Sequence, residues 1–319
     1  MYNSCMPVVI EDLKKMFYPD KIVLERINLT VVEGETVGIL GNNGAGKTTL
    51  LRILATLLYP SYGFINIFGL DPRLEAPEIK KLIGYLPERF SFYPYFSVND
   101  ILDFFERLSP IYKTDQEELR EQVIKMLGIE SFLQVRINAL SKGMLHKVGL
   151  AITLIHDPPL LLLDEPTSGL DPLVRTQVRK ILMNLTEDFE KTILISSHIL
   201  EDVEAVCDRV FFLEAGKMLH QPFWISEIKQ KLLKMQRLEI RSNNPSDMFN
   251  ELLELEEILY CDINPRGIEI YCKIDQVSEI CDHLEDVLNI KVEAINHLIS
   301  LEDIYILNHI NINWLDYLS

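Results

Sequence analysis

Gly41-Asn42-Asn43-Gly44-Ala45-Gly46-Lys47-Thr48-Thr49 holds the residue types that grip a phosphate. Gly41, Gly46, Lys47 and Thr48 stand at the fixed positions of a P-loop. The glycines let the main chain curl until successive N–H groups point at one anion. Lys47 adds a full charge for the β- and γ-phosphates of a nucleotide, and the Thr48 hydroxyl is placed to ligate Mg²⁺. The other half of such a site is a carboxylate delivered by a buried strand. Leu160-Leu161-Leu162-Leu163-Asp164-Glu165 supplies it, with Asp164 set to hold the Mg²⁺ shell. Glu165 is placed to act as general base toward water, or to orient it. His198 follows a further apolar run, residues 193–196, at the strand edge where ligands bind in parallel sheets.

These side chains need a parallel sheet behind them. Residues 36–40 read as a buried strand entering the glycine loop, and residues 49–58 as an apolar helix leaving it. A helix beginning near Lys47 turns the positive end of its dipole toward the anion. Upstream, residues 8–13 and 22–32 read as strands. Glu33-Gly34-Glu35 turns the second of them into the loop strand. Between the two lies Phe17-Tyr18-Pro19-Asp20, whose aromatics either stack on a purine ring or pack at a strand end. Ser61-Tyr62-Gly63 turns into a strand over residues 64–68.

Residues 82–86 read as another strand, followed by Pro87-Glu88-Arg89 and then by Phe90, Phe92, Tyr93, Tyr95 and Phe96. These aromatics form either plain core or a docking groove for another protein. Helical patterns over 98–108 and 116–127 follow. A helical insertion of about residues 88–158 is therefore expected between the two halves of the sheet. Ser141 is a good N-cap for a helix over 142–155.

Composition narrows the class. At 319 residues the chain is longer than one compact core usually takes, so two domains are expected, 1–220 and 221–319. The net charge is −17, and after residue 220 there are 18 acidic and 8 basic residues. Such a chain repels nucleic acid at long range, and no nucleic-acid partner is expected. The cysteines, Cys5, Cys207, Cys261, Cys272 and Cys281, are odd in number and form no CxxC pair, which fits a reducing cytosol. The first residues lack a basic stretch followed by an apolar core, so no signal peptide is expected. No apolar run approaches the roughly 18 residues of a membrane span. The longest, 151–163, is interrupted by His156, Asp157 and prolines. A membrane role would have to come through a partner.

The last third has its own pattern. Residues 238–241, 258–263, 268–273 and 290–295 read as strands, and residues 245–255 and 276–288 as helices. Asn264-Pro265-Arg266-Gly267 is a hairpin turn. The order βαββαβ is that of a split-βαβ, ferredoxin-like unit. Cys261, Cys272, Cys281 and His283 lack metal-ligand spacing, and a dimerisation or regulatory surface is the expected role. Residues 311–319 read as a tail.

Taken together, Leu140-Ser141-Lys142-Gly143-Met144 and Asp164-Glu165-Pro166-Thr167-Ser168-Gly169-Leu170-Asp171-Pro172 resemble the ATPase subunit of an ABC transporter. The first stretch is similar to that family's signature motif. The second is similar to its Walker B motif running into the D-loop (Ser168, Gly169, Leu170, Asp171). The resemblance spans residues 8–219 and runs in family order, from the P-loop (Walker A) to the switch histidine. It implies an α/β fold: a P-loop NTPase core of ABC ATPase type with a helical subdomain, plus a small α+β C-terminal domain. It further implies that Phe17, with Tyr18 as runner-up, takes the aromatic position beside the base. Glu88 falls at the Q-loop as a further Mg²⁺ ligand, Glu165 at the catalytic carboxylate and His198 at the switch.

The resemblance also implies ATP and Mg²⁺ as cofactors, ATP hydrolysis, and head-to-tail pairing of two nucleotide-binding domains. Ser141, Lys142, Gly143 and Met144 of one copy would then close the site of the other. Integral membrane permease subunits are the implied partners. The implied location is the cytoplasmic face of the cell membrane, and the implied direction is export. The competing class is a soluble ABC ATPase acting on ribosomes or DNA. Two positions depart from the family pattern. Glu88 stands where glutamine is usual. Lys142 stands where a second glycine is usual, and it either meets the partner's phosphates or is solvated.

Overall fold

The computed structural model describes residues 6–108, 116–240, 249, 252, 255, 258–264, 267–288 and 294–297. The chain divides into two compact units, Met1–Phe223 and Trp224–Ser319. The first opens with β1 (Val8–Phe17) and β2 (Lys21–Val31), then β3 (Thr36–Leu40), α1 (Lys47–Leu54), β4 (Tyr62–Ile67), α2 (Ala76–Leu82) and β5 (Ile83–Leu86). Three helices follow, α3 (Val98–Leu108), α4 (Gln116–Leu127) and α5 (Lys142–Leu154). The chain then returns to the sheet with β6 (Leu160–Asp164), α6 (Pro172–Glu187), β7 (Thr192–Ser197), α7 (Leu200–Val206) and β8 (Arg209–Glu214). The two-residue strands β9 (Lys217–Met218) and β10 (Phe223–Trp224) follow, the second spanning the unit boundary.

A parallel sheet in the order β8-β3-β7-β6-β5 carries the site. Its strands are continuous apolar runs because helices cover both faces. Every residue of β3, β6 and β7 is buried. Leu160, Leu161, Leu162 and Leu163 are at most 1% exposed, so each contributes roughly 1.5–3 kcal/mol of apolar burial. Register then aligns the strand ends: Leu40 lies beside Ser197, and Asp164 beside Ser196. One sheet edge therefore receives the glycine loop, Asp164-Glu165 and His198 together. A second sheet, antiparallel in the order β2-β1-β4, packs its apolar faces into the same core.

Several elements differ from the sequence expectations. α1 starts at Lys47, where the dipole argument puts it, but ends at Leu54 and not at residue 58. The glycine loop itself turns into the helix, because Gly46 takes φ +113° as N-cap. A Cβ at Gly46 would also lie 2.7 Å from the Leu24 side chain. β1 runs on to Phe17 through irregular register shifts after Ile10, Leu13 and Lys15. α2 was not expected. It is seven residues long with proline near its start and buries only Ile79, so it carries little periodic signal.

The second unit holds α8 (Ile225–Leu232), β11 (Met235–Ile240), β12 (Ile258–Asn264), β13 (Gly267–Lys273), α9 (Val277–Leu288) and β14 (Ala294–His297). Its four strands form an antiparallel sheet in the order β12-β13-β11-β14. Asn264 pairs with Gly267 across the hairpin. Leu238, Ile240, Leu252, Ile268, Ile270 and Ile280 make its core with Cys261 and Cys272. Burial pushes both thiols up to about 12, so they pack as neutral groups. No metal-binding group of three His, Cys, Asp or Glu residues occurs among the described residues. Most of the helix expected over 245–255 lies outside the described residues, as does the tail over 311–319.

Candidate nucleotide site

The glycine loop is fitted tightly against its surroundings. A Cβ on Gly41 would lie 2.2 Å from the Leu213 carbonyl oxygen of β8, so only glycine permits this approach. The buried Lys47 ammonium donates to the carbonyls of Gly41 (2.6 Å) and Asn42 (3.3 Å). It also lies 3.1 Å from Glu165 Oε1. The other Glu165 oxygen lies 2.7 Å from His198 Nδ1. A carboxylate only accepts, so the proton of that bond sits on Nδ1. Lysine and imidazole are thus joined through the one carboxylate.

Asp164 sits one layer deeper. Its Oδ1 accepts from Thr48 Oγ1 (3.1 Å) and Ser196 Oγ (2.6 Å). Its Oδ2 is buried with no hydrogen-bond partner among the described residues. Burial raises the Asp164 pKa, and the charges of Glu165 and Glu88 add to this, while the two hydroxyl bonds oppose it.

Glu165 takes φ +52°, a left-handed conformation that costs a non-glycine residue energy. Its N–H is held by the Ser196 carbonyl (3.1 Å) and by Ser196 Oγ (3.0 Å), which fix it there. Ser196 therefore anchors both carboxylates, and the sequence reading missed it. A hydroxyl directly before Ser197-His198 in an apolar strand was the available signal.

Above this edge opens a cavity of about 850 Å³. Phe17, residues 42–49, Glu88 and Glu165 line it, as do Lys21, Ile22, Val23, Arg89 and Ala215, which were not anticipated. Phe17 is 39% exposed, whereas Tyr18 is 98% exposed and does not line the cavity. The aromatic stretch divides its roles. Phe90 packs on Phe92 and His146, while Tyr93 and Tyr95 stand exposed.

The signature residues do not reach their own chain's cavity. Ser141 caps α5 by accepting from Met144 N (3.2 Å). Gly143 faces Val174 of α6, where a Cβ would lie 3.0 Å away. Lys142 is exposed, and its Nζ donates to the Ser168 carbonyl (3.4 Å) and lies over the Cα of Gly169. Asp171 ends this loop by capping α6, accepting from Val174 N at 3.1 Å.

Behind the loop is a charged node that the sequence reading also missed. Asp202 of α7 is fully buried and accepts from Thr167 Oγ1, from Arg175 Nε (2.8 Å) and from Arg179. His146 of α5 is also buried. Burial depresses its pKa to about 4, and the Lys142 charge lowers it further, against a bond with the Pro166 backbone.

A glycine loop after one strand, an aspartate ending a second and a histidine following a third define a P-loop nucleoside triphosphatase of α/β type. Comparison with known proteins narrows this. The family model described as ABC transporter matches residues 24–168. The ABC transporter ATP-binding protein NatA of Bacillus subtilis is 38% identical over 218 residues, which cover 67% of this chain and 88% of that protein. The Nod factor export ATP-binding protein I of Neorhizobium galegae is 34% identical, over 77% of this chain and 71% of that protein. Among solved structures, a dimeric ATP-binding cassette in a post-hydrolysis state with ADP and phosphate superposes with a TM-score of 0.61. It is 25% identical, over 68% of this chain and 98% of that one. The chain belongs to the ABC transporter ATP-binding proteins, and it is an ATP hydrolase.

Proposed function

We propose that this chain powers a membrane ABC exporter through ATP-driven pairing of two nucleotide-binding units. The observation that carries the pairing is the position of Ser141, Lys142, Gly143 and Met144, outside the cavity formed by their own chain. The helix end capped by Ser141 is a ready anion site for the nucleotide of a second copy. The dimeric state of the similar cassette supports the same reading. Export is supported by the Nod factor export relative. A permease partner at the cytoplasmic membrane face is supported by these relatives. No helix among the described residues is long and apolar enough to cross a membrane itself.

In this reading residues 41–49 cradle the phosphates, Phe17 stacks on the adenine, and Lys47 leaves Glu165 to meet the β- and γ-phosphates. Glu165 then takes the proton of the attacking water, while the Nδ1–H of His198 keeps the carboxylate aimed. The residues also fit Mg²⁺. The orphaned, buried Oδ2 of Asp164 and the Thr48 hydroxyl beside it are hard oxygen donors, and such a site needs only one or two carboxylates besides phosphate. Glu88 is a further oxygen donor at the cavity wall. Mg²⁺ bound there would neutralise charge developing on the transferred phosphoryl group. Ser168, Gly169, Leu170 and Asp171 would run along the interface between copies.

We also read residues 221–319 as a ferredoxin-like regulatory or dimerisation domain. The antiparallel strand order β12-β13-β11-β14 supports this, being that of a split-βαβ pair.

The test is affinity capture of the tagged chain from detergent-solubilised membranes, with identification of what co-elutes. A polytopic membrane protein is the expected result. Ribosomal or DNA-associated partners with no membrane protein would overturn the reading.

A further inference from the structure

We propose that Lys15 is a positioning residue for nucleotide binding: it seats the Phe17 ring as a platform for the base. Lys15 and Phe17 are two apart on β1, and their side chains meet despite the register shift after Lys15. Phe17 ends the strand and is 39% exposed, so packing holds its ring only in part. The Lys15 ammonium supplies what packing does not. It lies 4.8 Å from the ring centroid, over the ring. Its own place is fixed by a 2.7 Å hydrogen bond to the Tyr59 carbonyl, beyond the end of α1. The strand carrying the ring is thereby tied to the segment that follows the phosphate-binding helix.

Two consequences follow from the electrostatics. A cation over one face of an aromatic ring is attracted by the ring quadrupole, so the ring is held with that face occupied. The other face is left for a base. Lys15 does not line the cavity, so its charge acts on the ring and not directly on phosphate. This inference rests on the reading of Phe17 as the base-stacking residue, and the experiment separates the two.

ATP and inorganic tripolyphosphate would be titrated calorimetrically into the full-length chain and its variants, with steady-state hydrolysis measured alongside. Tripolyphosphate engages the glycine loop but has no base to stack. Lys15→Gln should weaken ATP about three- to fivefold, raise KM in step and leave kcat unchanged. Tripolyphosphate affinity should not move. Lys15→Arg, which keeps a cation able to sit on the ring, should restore ATP affinity. Phe17→Ala should weaken ATP roughly tenfold, and adding Lys15→Gln to it should cost nothing more. If Phe17→Ala weakens ATP but Lys15→Gln does not, the proposal is wrong and the stacking role of Phe17 stands. If Lys15→Gln weakens tripolyphosphate as much as ATP, Lys15 acts on phosphate or on the fold, and the proposal is again wrong. If Phe17→Ala leaves ATP binding intact, the stacking reading falls and the proposal with it.

Discussion

Replacing Glu165 by glutamine should move hydrolysis and ATP affinity in opposite directions. The carboxylate is 6% exposed, 3.1 Å from Lys47 and 2.7 Å from His198. At an effective dielectric near 20, unit charges this close attract by about 5 kcal/mol. Desolvation of both groups cancels most of that, leaving a net on the order of 1 kcal/mol. On the proposed reading this pair competes with phosphate for the same ammonium. The amide of Glu165→Gln keeps the shape and ends the competition, so ATP should bind about fivefold tighter. The amide also cannot accept a proton from water, so kcat should fall by roughly 10²–10⁴. Phosphate release at saturating ATP and magnesium measures the second effect, and calorimetric ATP binding without turnover measures the first. Hydrolysis within threefold of the parent would refute the role of Glu165 as base. Lost hydrolysis with unchanged ATP affinity would refute the competition for Lys47 and leave the base intact.

The enclosed groups behind the site give two further predictions. Asp202→Asn leaves Arg175 and Arg179 without their buried countercharge and should cost about 3–5 kcal/mol of stability; an unchanged urea midpoint would contradict the node. His146, whose pKa is depressed to about 4 by burial, is protonated more readily in the unfolded chain than in the fold. Its contribution is therefore complete above about pH 6.5 and is lost as pH falls toward 4, by up to about 3 kcal/mol. His146→Gln should flatten the acid limb of a stability-against-pH curve, and parallel curves for variant and parent would refute this.

How far the site could be read from the chain depends on how far apart in sequence its contacts lie. The glycine loop is local chemistry: its strand, its turns and its helix start all lie within residues 36–54, and their residue types declare them. The four leucines of β6 announce a strand buried on both faces, and the acids after them mark its open end. α3 and α4 occupy the expected spans because their apolar spacing is regular and their first turns carry acidic residues. The contacts between these pieces are another matter. Ser196 meets Asp164 across 32 residues, and Lys142 meets Ser168 across 26. Asp202 reads from the sequence as an ordinary acid in the first turn of a short helix, yet its partners lie on α6 and in the loop before it. Each of these depends on strand register or helix packing, which no residue type spells out. The pairing of Asp164 with Ser196 makes the point physically. A slip of one residue between β6 and β7 would turn the Ser196 hydroxyl to the opposite face of the sheet. The glycine loop and both acids would remain legible as before, but Asp164 would lose its shortest hydrogen bond, and the strained backbone of Glu165 would lose the hydroxyl that helps hold it.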